Sequence, residues 1–143
     1  MRYLGIDYGD KNIGISVTDE TNTLAIPHTT IVRQDANTIK PYIAQIKQIL
    51  SAHNIGTIVI GLPKNMNGTD GPRVAITQDF ADRLGRNFKK TKIILWDERL
   101  STAGARRTLS GNVAEKAVID EMAAVFILQG YMDYMHSKGS ETV

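Results

Sequence analysis

Apolar and polar positions follow two rhythms along this chain. Arg2–Asp7 and Ile13–Asp19 are rich in aliphatic residues, and the Tyr8-Gly9-Asp10-Lys11-Asn12 stretch between them is rich in turn formers. The two are therefore expected to pair as a β-hairpin. Leu24–Val32 reads as a third strand, in which Pro27 lacks a ladder donor and points to an edge position or a bulge. The rhythm then changes, as Ile39, Ile43, Ile46 and Leu50 recur at helical spacing and predict an amphipathic helix near 38–53. Thr57–Gly61 is a short apolar strand. Val74–Leu84 reads as a second helix with Pro72 in its first turn, and Lys92–Trp96 as another apolar strand. Ser101 or Thr102 can cap a short helix ending near Ser110-Gly111. Asn112 and Glu115 form a capping-box-like start for a last helix, about 113–136, and His136–Val143 reads as a frayed tail.

An antiparallel meander followed by alternating helix and strand predicts an α/β fold. Its sheet would be five-stranded and mixed, with strands 57–61 and 92–96 parallel to the first and helices on both faces. A single domain over 1–138 and a flexible tail over 139–143 are expected.

Composition narrows the function only by exclusion. A chain of 143 residues buries roughly 68–70% of its unfolded surface, so it needs no disulfide or structural metal to fold. There are no cysteines, which removes disulfide frameworks, thiolate zinc sites and cysteine nucleophiles together. Asp7, Asp10, Asp19 and Glu20 interrupt the first twenty residues, so no secretory leader is expected, and no apolar run is long enough to span a membrane. The net charge is +2 and the isoelectric point near 8.9, which supports nucleic-acid binding only slightly.

The candidate chemistry lies in the acids. Open α/β sheets bind ligands outside the carboxyl ends of their parallel strands. Asp7 ends the first strand, Leu62-Pro63 follows the fourth, and Asp97-Glu98-Arg99 follows the fifth, so Asp7 and Glu98 should emerge on one edge. On the last helix Asp120 shares a stripe with Lys116, Ala123, Ala124, Ile127 and Tyr131 that should face the sheet. A charged group on such a stripe is costly unless paired or metal-bound. Each acid also has a plain role open to it: a turn for Asp7, an exposed loop charge for Glu98, and an ion pair with Lys116 for Asp120. Together, three clustered carboxylates would repel one another, and a divalent cation removes that penalty. Mg²⁺ or Mn²⁺ suits such oxygen ligands, and two ions can activate water and stabilise the leaving oxygen in phosphodiester cleavage.

Four stretches carry a family resemblance. They are Leu4-Gly5-Ile6-Asp7-Tyr8-Gly9 with Asn12-Ile13-Gly14; Gly61-Leu62-Pro63 with Met66, Gly68 and Gly71; Asp97 through Thr102; and Lys116 through Asp120 to Ala123-Ala124 with Ile127-Leu128-Gln129. In this order the chain resembles the YqgF, or RuvX, family of Holliday junction resolvase-like proteins. The resemblance implies a ribonuclease-H-like fold related to the resolvase RuvC, with Asp7, Glu98 and Asp120 as the catalytic, metal-holding acids. It also implies a cytoplasmic hydrolase, a nuclease maturing the 5′ end of pre-16S ribosomal RNA. Asn12 stands where the family commonly has arginine.

Lys11, Lys64, Arg99 and Lys116 are candidate phosphate contacts, each with a simpler role as a solvated charge or, for Arg99 and Lys116, a partner of Asp97 and Asp120. The glycine-punctuated stretch after Pro63 could close over substrate or merely connect. Ser101 and Thr102 read as caps rather than nucleophiles, since His28, His53 and His136 are not placed to serve them. Alternatives remain. One is the same chemistry on branched DNA, which requires a two-fold dimer where the RNA reading allows a monomer or homodimer. Another is ATP binding through the Gly5–Gly9 loop. The third is a non-catalytic RNA-binding ribosome-assembly factor.

Overall fold

The computed structural model describes residues 1–34, 38–65, 67–97 and 116–141, with the backbone alone for 116–120 and 139–141. Five strands form one sheet: β1 (Arg2–Tyr8), β2 (Asn12–Thr18), β3 (Ala25–Val32), β4 (Ile55–Leu62) and β5 (Lys92–Asp97), in the order β3-β2-β1-β4-β5. Three helices accompany them: α1 (Lys40–Ala52), α2 (Pro72–Asn87) and α3 (Lys116–Glu141). β1, β2 and β3 pair antiparallel, while β4 runs parallel to both β1 and β5. The predicted meander and parallel crossovers are therefore both present.

Alternation along β1 assigns the two faces. Leu4, Ile6 and Tyr8 join Ile13, Ile15, Ile58 and Ile60 in a core closed by Ile46 and Leu50 of α1 and Phe80 and Leu84 of α2. Tyr8 and Phe80 stack there with ring centroids 3.9 Å apart. Tyr3, of opposite parity, belongs to the second core with Val59, Trp96, Ile127, Leu128 and Tyr131, which α3 closes. Helices thus cover both faces.

Local chemistry explains most boundaries. β3 lies at the sheet edge, and its register against β2 shifts between Ile15 and Ser16, opposite Thr29 and Pro27. The proline is accommodated because an edge strand and a bulge need fewer ladder donors. Pro72 opens α2, as predicted, because the first helical turn has no use for its missing N–H. α1 is closed by the His53 N–H to the Ile49 carbonyl, followed by Asn54 in the left-handed region at φ 53°.

The predicted short helix from Ser101 and the Asn112–Glu115 cap lie outside the described residues. α3 runs to Glu141, past the predicted end at 136 and into the segment read as a tail. No proline or β-branched residue interrupts 134–139, and the Lys138 ammonium sits 5.8 Å from the Tyr134 ring one turn earlier. Among the described residues no helix is long and apolar enough to cross a membrane.

Candidate nuclease site

The site is built on the carboxyl edge of β1, β4 and β5. Ile6 pairs with Ile60, and Leu62 pairs with Asp97, so the ends of these three strands lie level. Neighbouring strands sit about 4.8 Å apart, which puts the ends of β1 and β5 roughly 10 Å from each other. Asp7 shares its parity with Tyr3 and Gly5, the positions of β1 that meet α3. It therefore stands on the α3 face, partly exposed, one residue before the strand ends.

α3 crosses this face against the direction of β1. Its Tyr131 ring lies 6.1 Å from the Tyr3 ring at the amino end of β1. Toward its start, Glu121 accepts a 3.4 Å hydrogen bond from the Thr30 hydroxyl. Thr30 pairs with Gly14, and Gly14 with Asp7, so this contact is level with Asp7 across the sheet. The first turns of α3 are thereby carried to the edge where β1 ends. Asp120 belongs to those turns by its backbone. The stripe predicted to share its face is buried against the sheet at Ala123, Ala124, Ile127 and Tyr131.

Close packing makes that approach possible. Gly5 has no Cβ, and one placed there would overlap Ser16 Oγ and stand 2.8 Å from both the Ala124 carbonyl oxygen and Leu128 Cβ. Ser16, fully buried, donates from its hydroxyl to the same Ala124 carbonyl at 2.8 Å. β1, β2 and α3 are thus tied together two residues from Asp7 and one helical turn from Asp120.

The hairpin beside Asp7 is held from three sides. Its backbone closes through the Gly9 N–H to the Asn12 carbonyl at 2.9 Å. Arg73, in the first turn of α2, donates to the Tyr8 carbonyl at 2.8 Å and pairs with Asp10. Arg33 donates to the Gly9 carbonyl at 3.0 Å, with its guanidinium 4.8 Å from the Tyr8 ring centre. Burial pushes the Tyr8 phenol above its ordinary range, although Arg33 and Arg73 oppose the shift.

The other expected residues divide. Lys11 is exposed in the hairpin turn at this edge. Lys64 follows β4 and pairs with Asp70 at 3.7 Å, both side chains partly exposed. The loop after Pro63 is folded on itself. Asn65 N–H donates to the Thr69 carbonyl at 2.9 Å, Gly68 takes φ 86°, and a Cβ on Gly71 would stand 2.9 Å from Asn65 Oδ1. Glu98 and Arg99 lie outside the described residues, and Lys116 opens α3 with its backbone alone described. Among the described residues no three acids or histidines group closely enough to hold a metal ion.

Sequence reading did not single out Glu121, Ser16, Arg33 or Arg73. Glu121 directly follows Asp120, and that adjacency was its only available signal. The two arginines act on residues 24 and 65 positions away, beyond the reach of any local pattern.

Comparison with known proteins places this geometry among relatives. Residues 1–134 match the family model RuvX, described as Holliday junction resolvase. A protein of Desulfitobacterium hafniense named "Putative pre-16S rRNA nuclease" is 43% identical over 145 residues, covering 99% of this chain and 98% of the relative. One of the same name from Bacillus cytotoxicus is 44% identical over 137 residues, covering 93% and 98%. In three dimensions the fold resembles Thermus thermophilus RuvC in complex with Holliday junction substrate. That match has a TM-score of 0.60 and 14% identity, over 95% of this chain and 96% of that one. A Fowlpox virus resolvase bound to Holliday junction DNA gives 0.53 and 14%, over 94% and 99%. The architecture is thus ribonuclease-H-like, as in these resolvases.

Proposed function

Since the chain belongs to the RuvX family, we propose that it is a metal-dependent endonuclease that hydrolyses phosphodiester bonds in structured RNA, acting in the cytoplasm on the 5′ end of pre-16S ribosomal RNA. The observation that carries this reading is the position of Asp7 at the carboxyl ends of the parallel strands, on the face that α3 covers, with the early turns of α3 level with it across the sheet. The near full-length likeness to relatives named for pre-16S rRNA supports the choice of RNA over branched DNA.

Asp7, Glu98 and Asp120 are the proposed metal-holding residues. The donor set fits Mg²⁺ or Mn²⁺: Asp7 offers hard carboxylate oxygens from a rigid strand end, and the partner acids lie on the adjoining helix and just beyond β5. A pair of ions, when bound, supplies an acidified water and charge stabilisation for the leaving oxygen.

The chain's own residues supply position and charge. Arg73 and Arg33 fix the hairpin so that Asp7 cannot drift with the turn. Lys11 at the turn, Lys64, Arg99 and Lys116 would meet phosphates flanking the cut. Lys64 can exchange its exposed Asp70 partner at little cost, since such surface pairs contribute about 0–1 kcal/mol.

The test is cleavage of a pre-16S transcript and of a synthetic four-way junction, with Mg²⁺, Mn²⁺ or chelator. Asp7→Asn, Glu98→Gln and Asp120→Asn keep size while removing charge. Each is expected to lower RNA cleavage at least about 100-fold, in line with the loss of a group that stabilises transition-state charge. Full activity in any one of them removes that residue from the site. Cleavage of the junction alone, by a two-fold dimer, would replace the RNA reading with the resolvase one.

A further inference from the structure

We propose that the C-terminal half of α2 and the amino end of β5 form a second nucleic-acid contact. It would grip the sugar-phosphate backbone of a structured substrate far from the scissile bond, and it rests on the nuclease reading above. The ten residues Arg83–Lys92 hold Arg83, Arg86, Lys89, Lys90 and Lys92 and no acid, in a chain whose net charge is only +2. Arg86, Lys89, Lys90 and Lys92 are all exposed, and no ion pair engages them among the described residues. Arg83 has a partner, Asp79 at 3.6 Å on its own helix.

Two of these cations, Arg86 and Lys89, border a groove, and the others flank them in the chain. A cleft of about 550 Å³ runs between α2 and the edge strand β5, with Ile93 and Leu95 as its floor, Gly85 opening one wall, and Arg86, Lys89 and Asp82 on the rim. Cations above an aliphatic floor suit a sugar-phosphate strand, whose phosphates need charge and whose sugars need only contact. A protein partner fits less well, because interface cores are depleted in lysine and built on aromatic anchors, and no aromatic residue lines this groove.

Position gives the contact its purpose. α2 begins at the hairpin, where Arg73 reaches the Tyr8 carbonyl, and runs away from that edge for sixteen residues. At 1.5 Å per residue its last turn is roughly 22 Å from its start. Lys92 likewise opens β5 at the end opposite Asp97, roughly 17 Å away at about 3.3 Å per residue. The patch therefore lies about 20 Å from the proposed site, or some seven base-pair steps of an A-form RNA helix at ~2.8 Å each. Substrates longer than that reach both surfaces, and shorter ones reach only the first.

The test compares the full chain with the variant Arg86→Gln, Lys89→Gln, Lys90→Gln, Lys92→Gln. Binding to RNA hairpins of about 24 and about 6 base pairs is followed by fluorescence anisotropy in chelator, so no cleavage is needed. Removing four phosphate contacts should weaken the long probe about tenfold or more at ~0.1 M salt. It should also make the log–log salt slope shallower by about 3. Binding of the short probe should stay within about twofold. The pair variant Lys89→Gln, Lys90→Gln should give about half the slope change and guards against misfolding of the larger one. Unchanged binding of the long probe, or equal weakening of both probes, overturns the proposal. A wild type that binds as expected but never cleaves would sink the nuclease reading and leave this surface standing.

Discussion

Gly5→Ala is the sharpest test of how the candidate site is assembled. The added methyl would overlap the Ser16 hydroxyl and press to 2.8 Å on the Ala124 carbonyl and on Leu128 Cβ. None of these can yield easily, since Ser16, Ala124 and Leu128 are all fully buried. Overpacking of this kind costs about 1–3 kcal/mol. If α3 lifts to relieve it, the 2.8 Å hydrogen bond from Ser16 to Ala124 is lost as well, which adds about 1–2 kcal/mol for a buried hydroxyl left without its acceptor. The total is about 2–5 kcal/mol. With a urea slope of about 2 kcal/mol/M, the unfolding midpoint should fall by about 1–2.5 M.

Activity should fall further than stability, because the helix that shifts carries Asp120 while Asp7 stays on the strand. A second variant isolates the cause. Ser16→Ala alone loses only the hydrogen bond, and in the double variant Gly5→Ala, Ser16→Ala part of the overlap disappears. The two changes should therefore cost less together than their sum. A midpoint shift of Gly5→Ala below about 0.3 M with normal cleavage would show that α3 is not seated this closely, and the site geometry argued from it would fail.

Two further predictions follow from the same contacts. Arg73→Ala should destabilise by about 1–2 kcal/mol in urea, through loss of its charged hydrogen bond to the Tyr8 carbonyl. Arg73→Lys should rescue little, because one ammonium cannot fork between that carbonyl and Asp10; full rescue would contradict this account. His28 stands in edge-on contact with His53, their ring centroids 4.7 Å apart. Burial first, then His53 and Arg2, pull its pKa below the ordinary histidine value, with Glu121 opposing. The unfolded chain therefore takes up the proton more readily. The contribution of a neutral His28 is complete above the ordinary value of 6.5 and drains away as pH falls below it. Between pH 7.5 and 5.5 the urea midpoint of wild type should drop more than that of His28→Gln, and parallel curves would refute the assignment.

Much of this protein was legible before any coordinates. The period-2 and period-3.6 runs located every described strand and helix, because burial on one face writes the same rhythm into the side chains that the backbone then follows. Pro27 marked an edge, and Pro72 a helix start, because a missing N–H is tolerated in few places. Strand ends and an alanine-lined stripe also nominate Asp7, Glu98 and Asp120, an assignment that the cleavage variants test.

Tertiary structure alone decided how these pieces meet. The periodicity of α3 could say that Ala123, Ala124 and Ile127 face inward, but not that the helix runs antiparallel to β1 with its early turns level with Asp7 across the sheet. That direction depends on Gly5, Ser16 and Ala124, which lie up to 119 positions apart along the chain and touch through a single close-packed contact. Neither could local sequence join Arg73 to the Tyr8 carbonyl, or set Arg86 and Lys89 above the Ile93 and Leu95 floor of one groove. Such contacts are selected by the packing of whole elements, and a residue's neighbours along the chain carry no record of them.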